Sequence, residues 1–202
     1  MGALWNFFKS GANATPLTDD KEIKSKFNLF RWQVFGSITI GYALFYVLRL
    51  NFSVIKKPLM SMGILNAQQL GLMGSVFFIT YGIGKFTNSF LADRVNNKRF
   101  FAFGLFISSV ASTLMGFCNE FMPLVVLWGI NGWFQSFGAG PCIVALNQWF
   151  TNKERGTYYG IWFTSHNLGA AFTYLVTAVL VTSYSWQMGF IVPGVVCAIG
   201  SL

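Results

Sequence analysis

Six long apolar stretches dominate this chain of 202 residues, and none of them contains an Asp or a Glu. They cover residues 31–55, 69–91, 100–118, 123–150, 157–183 and 188–202. A helix needs about 20 apolar residues to cross the hydrocarbon core of a bilayer, so the pattern predicts an all-α membrane protein with six spans. The sixth stretch is shorter than this, and we expect it to be a span cut short where the chain stops.

Composition also favours a membrane protein. Hydrophobic residues make up 54% of the chain and charged residues only 10%, whereas a soluble domain has about 25% charged residues. The net charge of +8 comes from basic residues between the apolar stretches, without interleaved aromatic residues, so nucleic acid is not an expected partner. Cys118, Cys142 and Cys197 lie in or beside apolar stretches without metal-ligand spacing, and we expect them to pack as small apolar side chains.

The first 30 residues form a polar segment with lysines at positions 9, 21, 24 and 26. This segment has no apolar run followed by a small-residue cleavage site, so we expect no cleaved signal peptide. Residues 1–30 are predicted to be a cytoplasmic N-terminal tail, with a short surface helix around residues 5–9.

The positions of Lys and Arg predict the orientation in the membrane. Ten of these residues fall on the side of the tail: five in the tail and first flank, three after the second span and two after the fourth. Only Lys56 and Lys57 fall on the opposite side. The N-terminus is therefore expected in the cytoplasm.

Glycine pairs predict where helices pack closely. Gly71 and Gly74 in the second span, and Gly129 and Gly132 in the fourth, are each three residues apart, a spacing that lets helix backbones approach. The fourth span is longer than required and carries a Gly-Ala-Gly-Pro run at residues 138–141, so a bend is expected there. The run can serve either packing or a hinge.

Three ionisable residues lie inside the apolar stretches: Arg49, Lys85 and His166. Such groups are costly in hydrocarbon unless they face a polar cavity or a partner. All six acidic residues of the chain lie in the tail or in loops, so no carboxylate is available within the spans. Buried positive charge without an internal acid indicates an anionic ligand.

Arg49 shares one helical face with Tyr42 and Tyr46, since the three follow one another at intervals of four and three residues. Arginine binds an oxyanion such as phosphate through two parallel hydrogen bonds and keeps its charge in the membrane. The alternative is that Arg49 extends along the helix to the membrane surface. The two tyrosines favour the ligand-binding alternative.

Lys85 and His166 each follow an aromatic residue by one helical turn, Tyr81 and Trp162 respectively. For Lys85 the sequence leaves open a ligand contact, extension to the membrane surface or a bond to a backbone carbonyl. For His166 the alternative to a ligand contact is a hydrogen bond between packed helices. Histidine and phosphate titrate in the same range of pH, so a histidine beside phosphate can share its proton.

The residues do not suggest an enzyme, a cofactor or a metal site. The chain lacks a nucleophile motif, paired acids, a phosphate-binding Gly-Lys loop and a metal-ligand cluster. Proton-coupled carriers generally need a carboxylate inside the membrane, and these spans have none. Exchange of one anion for another is therefore the expected driving process.

The loop after the second span resembles the loop motif of the major facilitator superfamily. It reads DRVNNKR at residues 93–99, with Ser89 and Asn96 at positions where that motif usually has glycine. The resemblance implies that a group of charged residues in this loop gates the conformational change: Asp93, Arg94, Lys98 and Arg99.

Further stretches resemble the organophosphate:phosphate antiporters, the family of glycerol-3-phosphate and hexose-phosphate transporters. They are GYALFYVLRLNF (41–52), YGIGKF (81–86), GWFQSFGAGPC (132–142), NKERGT (152–157) and WFTSHNLGA (162–170). The resemblance implies a twelve-span transporter of which residues 31–202 form the N-terminal half, as two inverted three-helix repeats. A C-terminal half would complete the binding site.

The same resemblance implies roles for the residues inside the spans. The arginine of the first stretch is a phosphate ligand in that family, which maps to Arg49, and the lysine and histidine line the pore. The full set of implied substrate-binding residues is Arg49, Lys85, His166, Tyr42, Tyr46, Tyr81 and Trp162. Ala139 and Gly140 stand where glycerol-phosphate members often have bulkier residues, which favours hexose phosphate as the substrate.

The expected function is exchange of an organic phosphate ester for inorganic phosphate by alternating access, in a bacterial inner membrane. Two alternatives remain open at this point. One is a membrane sensor of external hexose phosphate built on the transporter fold, and the other is an inactive, truncated half-transporter.

Overall fold

The computed structural model describes residues 7–9 and 18–202, and the second of these segments contains seven helices. They are α1 (Asp20–Ser61), α2 (Ala67–Ala92), α3 (Asn97–Met115), α4 (Phe121–Gln135), α5 (Ala139–Trp149), α6 (Asn152–Ser183) and α7 (Met188–Gly200). Because α4 and α5 together occupy the fourth apolar stretch, the seven helices form six helical segments, one for each predicted stretch. This confirms the predicted all-α fold.

The first helix is longer than its apolar stretch, with 42 residues. At 1.5 Å per residue it measures about 63 Å, roughly twice the thickness of the hydrocarbon core. It begins inside the predicted tail because the Asp19 carboxylate accepts a hydrogen bond from the Lys21 N–H (3.1 Å) and caps it. An ion pair between Glu22 and Lys26 (2.7 Å) supports this first part. The predicted surface helix at 5–9 lies partly outside the described residues, although Phe7 and Phe8 are helical.

By length and apolar composition, α1 and α2 are the helices of the described chain that could cross a membrane unaided. The other segments differ from a uniform apolar helix for local reasons. The fourth is divided into pieces of 15 and 11 residues, and α7 has 13 residues. α6 carries many polar residues, including Ser165, His166 and Asn167 in succession.

The predicted bend in the fourth segment is confirmed, and it is a full interruption of the helix. α4 ends at Gln135 and α5 begins at Ala139. The N–H groups of Ser136 and Phe137 donate to carbonyls three residues earlier, the tighter pattern common at helix ends. Pro141 follows in the first turn of α5 and has no N–H with which to continue the α-helical ladder.

The helices pair in a two-fold arrangement. α1 packs most extensively on α6, α2 on α4, and α3 on α7. The first unit consists of α1, α2 and α3. The second consists of α4 with α5 as its first member, then α6 and α7. Exchanging corresponding members of the two units turns the α1–α6 pair into the α4–α2 pair and returns the α3–α7 pair to itself. Because each unit has three successive helical segments, the second unit begins at the end of the bundle opposite to the start of the first. These are the properties of two inverted three-helix repeats.

Close packing is present at one of the two predicted glycine pairs. A Cβ placed on Gly132 would meet the Thr80 hydroxyl and lie 2.8 Å from the Phe77 carbonyl oxygen, and one on Gly129 would lie 3.0 Å from Val76. This confirms a tight α2–α4 contact. Gly71 and Gly74 make no close contact within the described chain, because a Cβ at either position would have no described neighbour within 4 Å, so packing at this pair stays a prediction. Both lie on the outward face of α2, which also exposes Leu72, Phe78 and Ile79.

Buried amide side chains tie α1 to three other helices. Asn131 of α4 donates to the carbonyl of Leu48 (3.2 Å) and accepts a short hydrogen bond from Ser108 of α3. Asn51 of α1 donates to the carbonyl of Gly189 in α7 (3.3 Å) and to the Ser112 hydroxyl in α3 (3.4 Å). In a membrane such hydrogen bonds hold helices together where apolar packing alone is not selective. They fix the turn of α1 that lies between Leu48 and Asn51.

The cysteines pack as predicted. All three are free thiols. Cys142 and Cys197 are fully buried within apolar clusters, and Cys118 is partly buried against the largest cluster. Their role in this structure is that of small apolar side chains.

Candidate functional site

Arg49 points from α1 towards α2 and does not extend along its own helix. Its Cζ atom lies 4.7 Å from the ring centre of Tyr81, 5.4 Å from that of Phe77 and 5.8 Å from that of Phe78. The ring of Tyr46, on α1 itself, is also 5.8 Å away. Aromatic faces attract a guanidinium group while leaving its N–H edge available for hydrogen bonds. This geometry favours the inward alternative for Arg49 over extension to the membrane surface.

No carboxylate neutralises Arg49 in the described part of the chain. The ion pairs within residues 7–9 and 18–202 are Lys26–Glu22 and Arg31–Glu154, both far from Arg49 in sequence and on other side chains. None of the side-chain hydrogen bonds found there involves the Arg49 guanidinium either. A half-buried cation in this condition is suited to an anion from outside the helix bundle.

Lys85 extends the positive end of the site along α2. Its side chain is exposed, and its Nζ atom lies 5.7 Å from the ring centre of Tyr81. Since Arg49 contacts the same ring, the two cations flank Tyr81. The alternative bond from the Lys85 ammonium to a backbone carbonyl is not seen among the described residues.

His166 of α6 contacts Tyr46, the α1 ring that also lies near Arg49. Its ring centre is 5.1 Å from that of Tyr46 and 4.1 Å from that of Phe163, which it meets edge-on. The Nδ1 atom is buried and has no hydrogen-bond partner in the described structure. The interhelical hydrogen bond considered as the alternative role for His166 therefore does not form at this nitrogen.

Trp162 and Tyr42 complete the site. Their ring centres are 4.6 Å apart, and Tyr42 continues to Tyr46 at 5.4 Å. The contacts thus run without interruption from Trp162 to Lys85 and join α1, α2 and α6. We call this set the aromatic–cationic site: Trp162, Tyr42, Tyr46, His166, Arg49, Tyr81 and Lys85. The structure brings all seven predicted residues together.

Sequence reasoning did not single out Phe77, Phe78 and Phe163. Phe77 and Phe78 place their rings beside the Arg49 guanidinium, and Phe163 contacts His166. Phe77 and Phe78 lie four and three residues before Tyr81, and Phe163 lies three residues before His166, so helical spacing was a usable signal for all three.

The predicted gating residues surround the turn between α2 and α3. Asp93 ends α2, and Asn96 caps α3 by accepting a hydrogen bond from the Arg99 N–H (3.2 Å). Arg94 and Lys98 are exposed. These residues lie in a tight, capped turn between α2 and α3. Their gating role stays a prediction.

A second arginine, Arg31, has a different environment. It forms an ion pair with Glu154 (3.0 Å), and its guanidinium lies 4.4 Å from the ring centre of Phe150 and 5.2 Å from that of Tyr158. The hydrogen bond from Arg31, followed by one from Thr151, holds the pKa of the Glu154 carboxyl below its usual value. The pair joins the first part of α1 to the start of α6.

Gly140, one of the two small residues that favoured hexose phosphate, does not border the aromatic–cationic site. A Cβ placed on Gly140 would lie 3.2 Å from the Ala92 Cβ and 3.6 Å from the Ser89 Cα, at the end of α2. The size of residue 140 therefore affects how α5 packs on α2 and adds no room beside Arg49 or Trp162. A preference for hexose phosphate needs another basis.

Several known proteins are similar in sequence to this chain over almost its full length. It is 36% identical over 98% of its length to the membrane sensor protein UhpC of Salmonella typhimurium. It is 34% identical over 97% to a probable hexose phosphate transport protein of Chlamydia trachomatis, and 34% identical over 95% to the glycerol-3-phosphate transporter of Haemophilus influenzae. These relatives are transporters and a sensor, as expected for a chain without an enzyme's active site. The chain spans less than half the length of each, 43% to 44%.

Solved structures of other proteins are similar to this chain in fold. A bacterial homolog of the human lysosomal transporter Spinster, in an inward-facing and unoccupied conformation, superposes with a TM-score of 0.75. The match covers 85% of this chain and 42% of the other, at 17% sequence identity, so it concerns the fold alone. The sequence model of one family, the Major Facilitator Superfamily, matches residues 35–202. The chain belongs to the Major Facilitator Superfamily, a family of integral membrane transport proteins.

Proposed function

We propose that this chain is half of a secondary transporter that exchanges an organic phosphate ester for inorganic phosphate. The observation that carries the proposal is the aromatic–cationic site, in which Arg49 has aromatic neighbours but no carboxylate among the described residues. The phosphate group binds the N–H edge of Arg49, with Lys85 as a second positive charge. His166 supplies a ring nitrogen that can donate to or accept from a phosphate oxygen.

The other end of the site suits the organic part of the ligand. Tyr42 and Tyr46 offer two aromatic rings and two phenolic hydroxyls, and the buried Trp162 ring supports Tyr42 from within the core. Tyrosine rings and hydroxyls stack on and hydrogen-bond to polyhydroxyl compounds. A hexose phosphate is the proposed substrate, because a relative at 34% identity is a probable hexose phosphate transport protein. The glycerol-3-phosphate transporter at 34% marks glycerol phosphate as the competing substrate.

Exchange follows from the same charges. When the site is empty, Arg49 and Lys85 are unneutralised near the centre of the membrane, and moving them through a closed state is costly. A bound anion lowers that cost, so the transporter changes conformation mainly when either phosphate or the phosphate ester is bound. Each inward movement of ester is thereby coupled to outward movement of phosphate.

The complete transporter contains a second half. This chain spans 43% to 44% of its relatives, and sites in this class of fold lie at the midplane between two halves. Arg49, Lys85 and Tyr81 face outward from this half on α1 and α2, where a second half would cover them. We place the N-terminus in the cytoplasm and the protein in a bacterial inner membrane as a multi-pass protein, as the basic residues predict.

The test is counterflow in proteoliposomes. The full-length protein that contains these residues is reconstituted with internal inorganic phosphate, and uptake of labelled phosphate and labelled hexose 6-phosphate is measured. We expect both uptakes to require internal phosphate and each compound to inhibit uptake of the other. Uptake that does not depend on internal phosphate would contradict exchange.

The identity to UhpC favours a second candidate, a membrane sensor that binds external hexose phosphate. A sensor binds the ligand at the same site but moves little of it. Saturable binding of hexose 6-phosphate by the purified protein, together with absent counterflow, would support the sensor. A third experiment reconstitutes the 202-residue chain alone. Transport by this chain would contradict the need for a second half, whereas absence of transport would agree with a binding site that two halves share.

A further inference from the structure

An N-terminal segment, residues 7–9, is bonded to the predicted gating loop. The Asn96 backbone N–H donates to the Phe8 carbonyl (2.8 Å), and the Arg99 guanidinium donates to the Phe7 carbonyl (2.8 Å). Asn96 is the residue that caps α3, and the backbone N–H of a capping residue has no partner inside its own helix. The segment therefore satisfies one backbone donor and one charged side chain of the loop at the same time.

The Phe8 side chain adds an apolar contact to these hydrogen bonds. Its ring lies edge-on to Phe100 (5.9 Å between ring centres) and to Phe103 (5.4 Å). It packs on a buried cluster made of Val95, Phe100 and Phe137. Phe8 is half-buried, while Phe7 and Lys9 on either side are exposed. Of the three residues, Phe8 is therefore the one that packs into the cluster.

The cluster that receives Phe8 connects the loop to the interruption between α4 and α5. Phe137 lies within that interruption, and its ring stacks on Phe100 at 4.2 Å between ring centres. Val95, in the same cluster, belongs to the gating loop. A segment of three residues thus contacts the gating loop directly and is linked to the α4–α5 interruption through the cluster that contains Phe100 and Phe137.

We propose that residues 7–9 are a clasp that restrains the gating loop and the α4–α5 interruption during transport. The proposal rests on the proposed function for its transport consequence, but the docking itself does not. Contacts that stabilise one conformation and are lost in the next add to the barrier between them. The clasp also keeps the Arg99 side chain bonded to Phe7, so Arg99 reaches other partners only after release. Removing the clasp therefore speeds the conformational change.

The docking is tested by hydrogen–deuterium exchange on the purified full-length protein. In the Phe8→Ala variant, we expect amides of residues 93–100 and 134–138 to exchange roughly two- to tenfold faster than in the parent, the range set by the loss of one or two aromatic contacts. Phe8→Tyr retains the ring and is expected to match the parent. Lys9→Ala is the matched control, since it changes an exposed neighbour. Unchanged exchange in Phe8→Ala would overturn the docking, whatever the protein transports.

The restraint is tested by the maximal rate of phosphate counterflow with the same variants. We expect Phe8→Ala to raise this rate roughly two- to tenfold, with the half-saturating phosphate concentration unchanged because the clasp does not touch the aromatic–cationic site. Phe8→Tyr and Lys9→Ala should keep the parent rate. An unchanged or lower rate in Phe8→Ala, with faster amide exchange at the loop, would overturn the restraint while leaving the docking intact. Absent counterflow in the parent would instead refute the proposed function.

Discussion

At the scale of single residues, the two arginines within α1 differ in whether the chain itself neutralises their charge. Arg31 has a carboxylate partner in Glu154 and two aromatic rings, so its charge is satisfied within the chain. Arg49 has aromatic rings but no acid in the described structure. Aromatic faces leave the N–H edge of a guanidinium available. The difference predicts that Arg49, and not Arg31, is the anion ligand.

The role of Lys85 as a second positive charge leads to a graded effect. We expect Lys85→Gln to raise the half-saturating phosphate concentration for exchange roughly two- to fivefold, because the ammonium is exposed and partly screened. Lys57→Gln, an exposed lysine of α1 outside the site, is the matched control and should have no effect. Parent-like phosphate dependence in Lys85→Gln would remove Lys85 from the binding site.

Helical spacing in the sequence indicated which candidate residues share a helix face, but it did not predict their contacts between helices. Spacing within single helices grouped Tyr42 with Arg49 and Trp162 with His166, and the structure places all of these together. That Arg49 would meet Phe78 depends on how α1 packs against α2. Packing between helices is set by side chains distant in sequence, so spacing along one helix does not reveal it.

At the scale of helices, small residues decide how closely α2 and α4 approach. Gly132 lies against the Phe77 carbonyl and the Thr80 hydroxyl, whereas Gly71 has no neighbour. The same glycine spacing therefore has different meanings on the inner and outer faces of a helix. The hydrophobic pattern did not separate these faces, because the exposed face of α2, with Leu72, Phe78 and Ile79, is as apolar as its packed face.

Alanine substitution at these two glycines tests this difference. We expect Gly132→Ala to destabilise the protein by about 1–3 kcal/mol, since the new methyl group collides with backbone that cannot move freely. Gly71→Ala makes the same chemical change in open space and should leave stability within about 1 kcal/mol of the parent, with helix propensity favouring alanine. Unfolding of both variants in detergent gives the comparison, and equal losses would contradict the α2–α4 packing described.

The start of α1 shows where apolar length fails as a predictor. Residues 20–30 are polar and were expected to be tail, yet they are helical. Their signals were local: Asp19 as a capping residue, and Glu22 and Lys26 one turn apart. A rule based on membrane-crossing length ignores such signals, since a helix can continue into water.

The Arg31–Glu154 pair between α1 and α6 predicts a dependence on pH. The pKa of Glu154 is lowered in the folded protein, so the pair stabilises the fold above the unfolded-state pKa of a glutamate, about pH 4.3, and the stabilisation is lost as pH falls through the lower folded value. We expect Glu154→Gln to have a lower thermal midpoint than the parent at pH 7 and a smaller difference near pH 4. A difference that is constant from pH 7 to pH 4 would show that the pair does not titrate in this way.

At the scale of the whole molecule, the two-fold pairing of helices explains where the site lies. α1 and α6 pair closely, and so do α2 and α4, which brings the polar faces of α1, α2 and α6 to one side of the bundle. Buried amides hold the turn of α1 between Leu48 and Asn51 against α4 and α7. Arg49 therefore lies on a fixed part of the fold, which is consistent with the proposal that it binds phosphate in a constant geometry.

The central claim, that Arg49 binds the transported phosphate, is tested most directly by phosphate exchange of Arg49→Lys in the full-length protein. Lysine retains the charge but loses the planar pair of N–H donors. We predict that labelled phosphate exchange in proteoliposomes falls at least about 30-fold, as expected for the loss of a charge-assisted hydrogen bond, while Lys57→Gln exchanges at the parent rate. Exchange by Arg49→Lys at the parent rate would contradict the account.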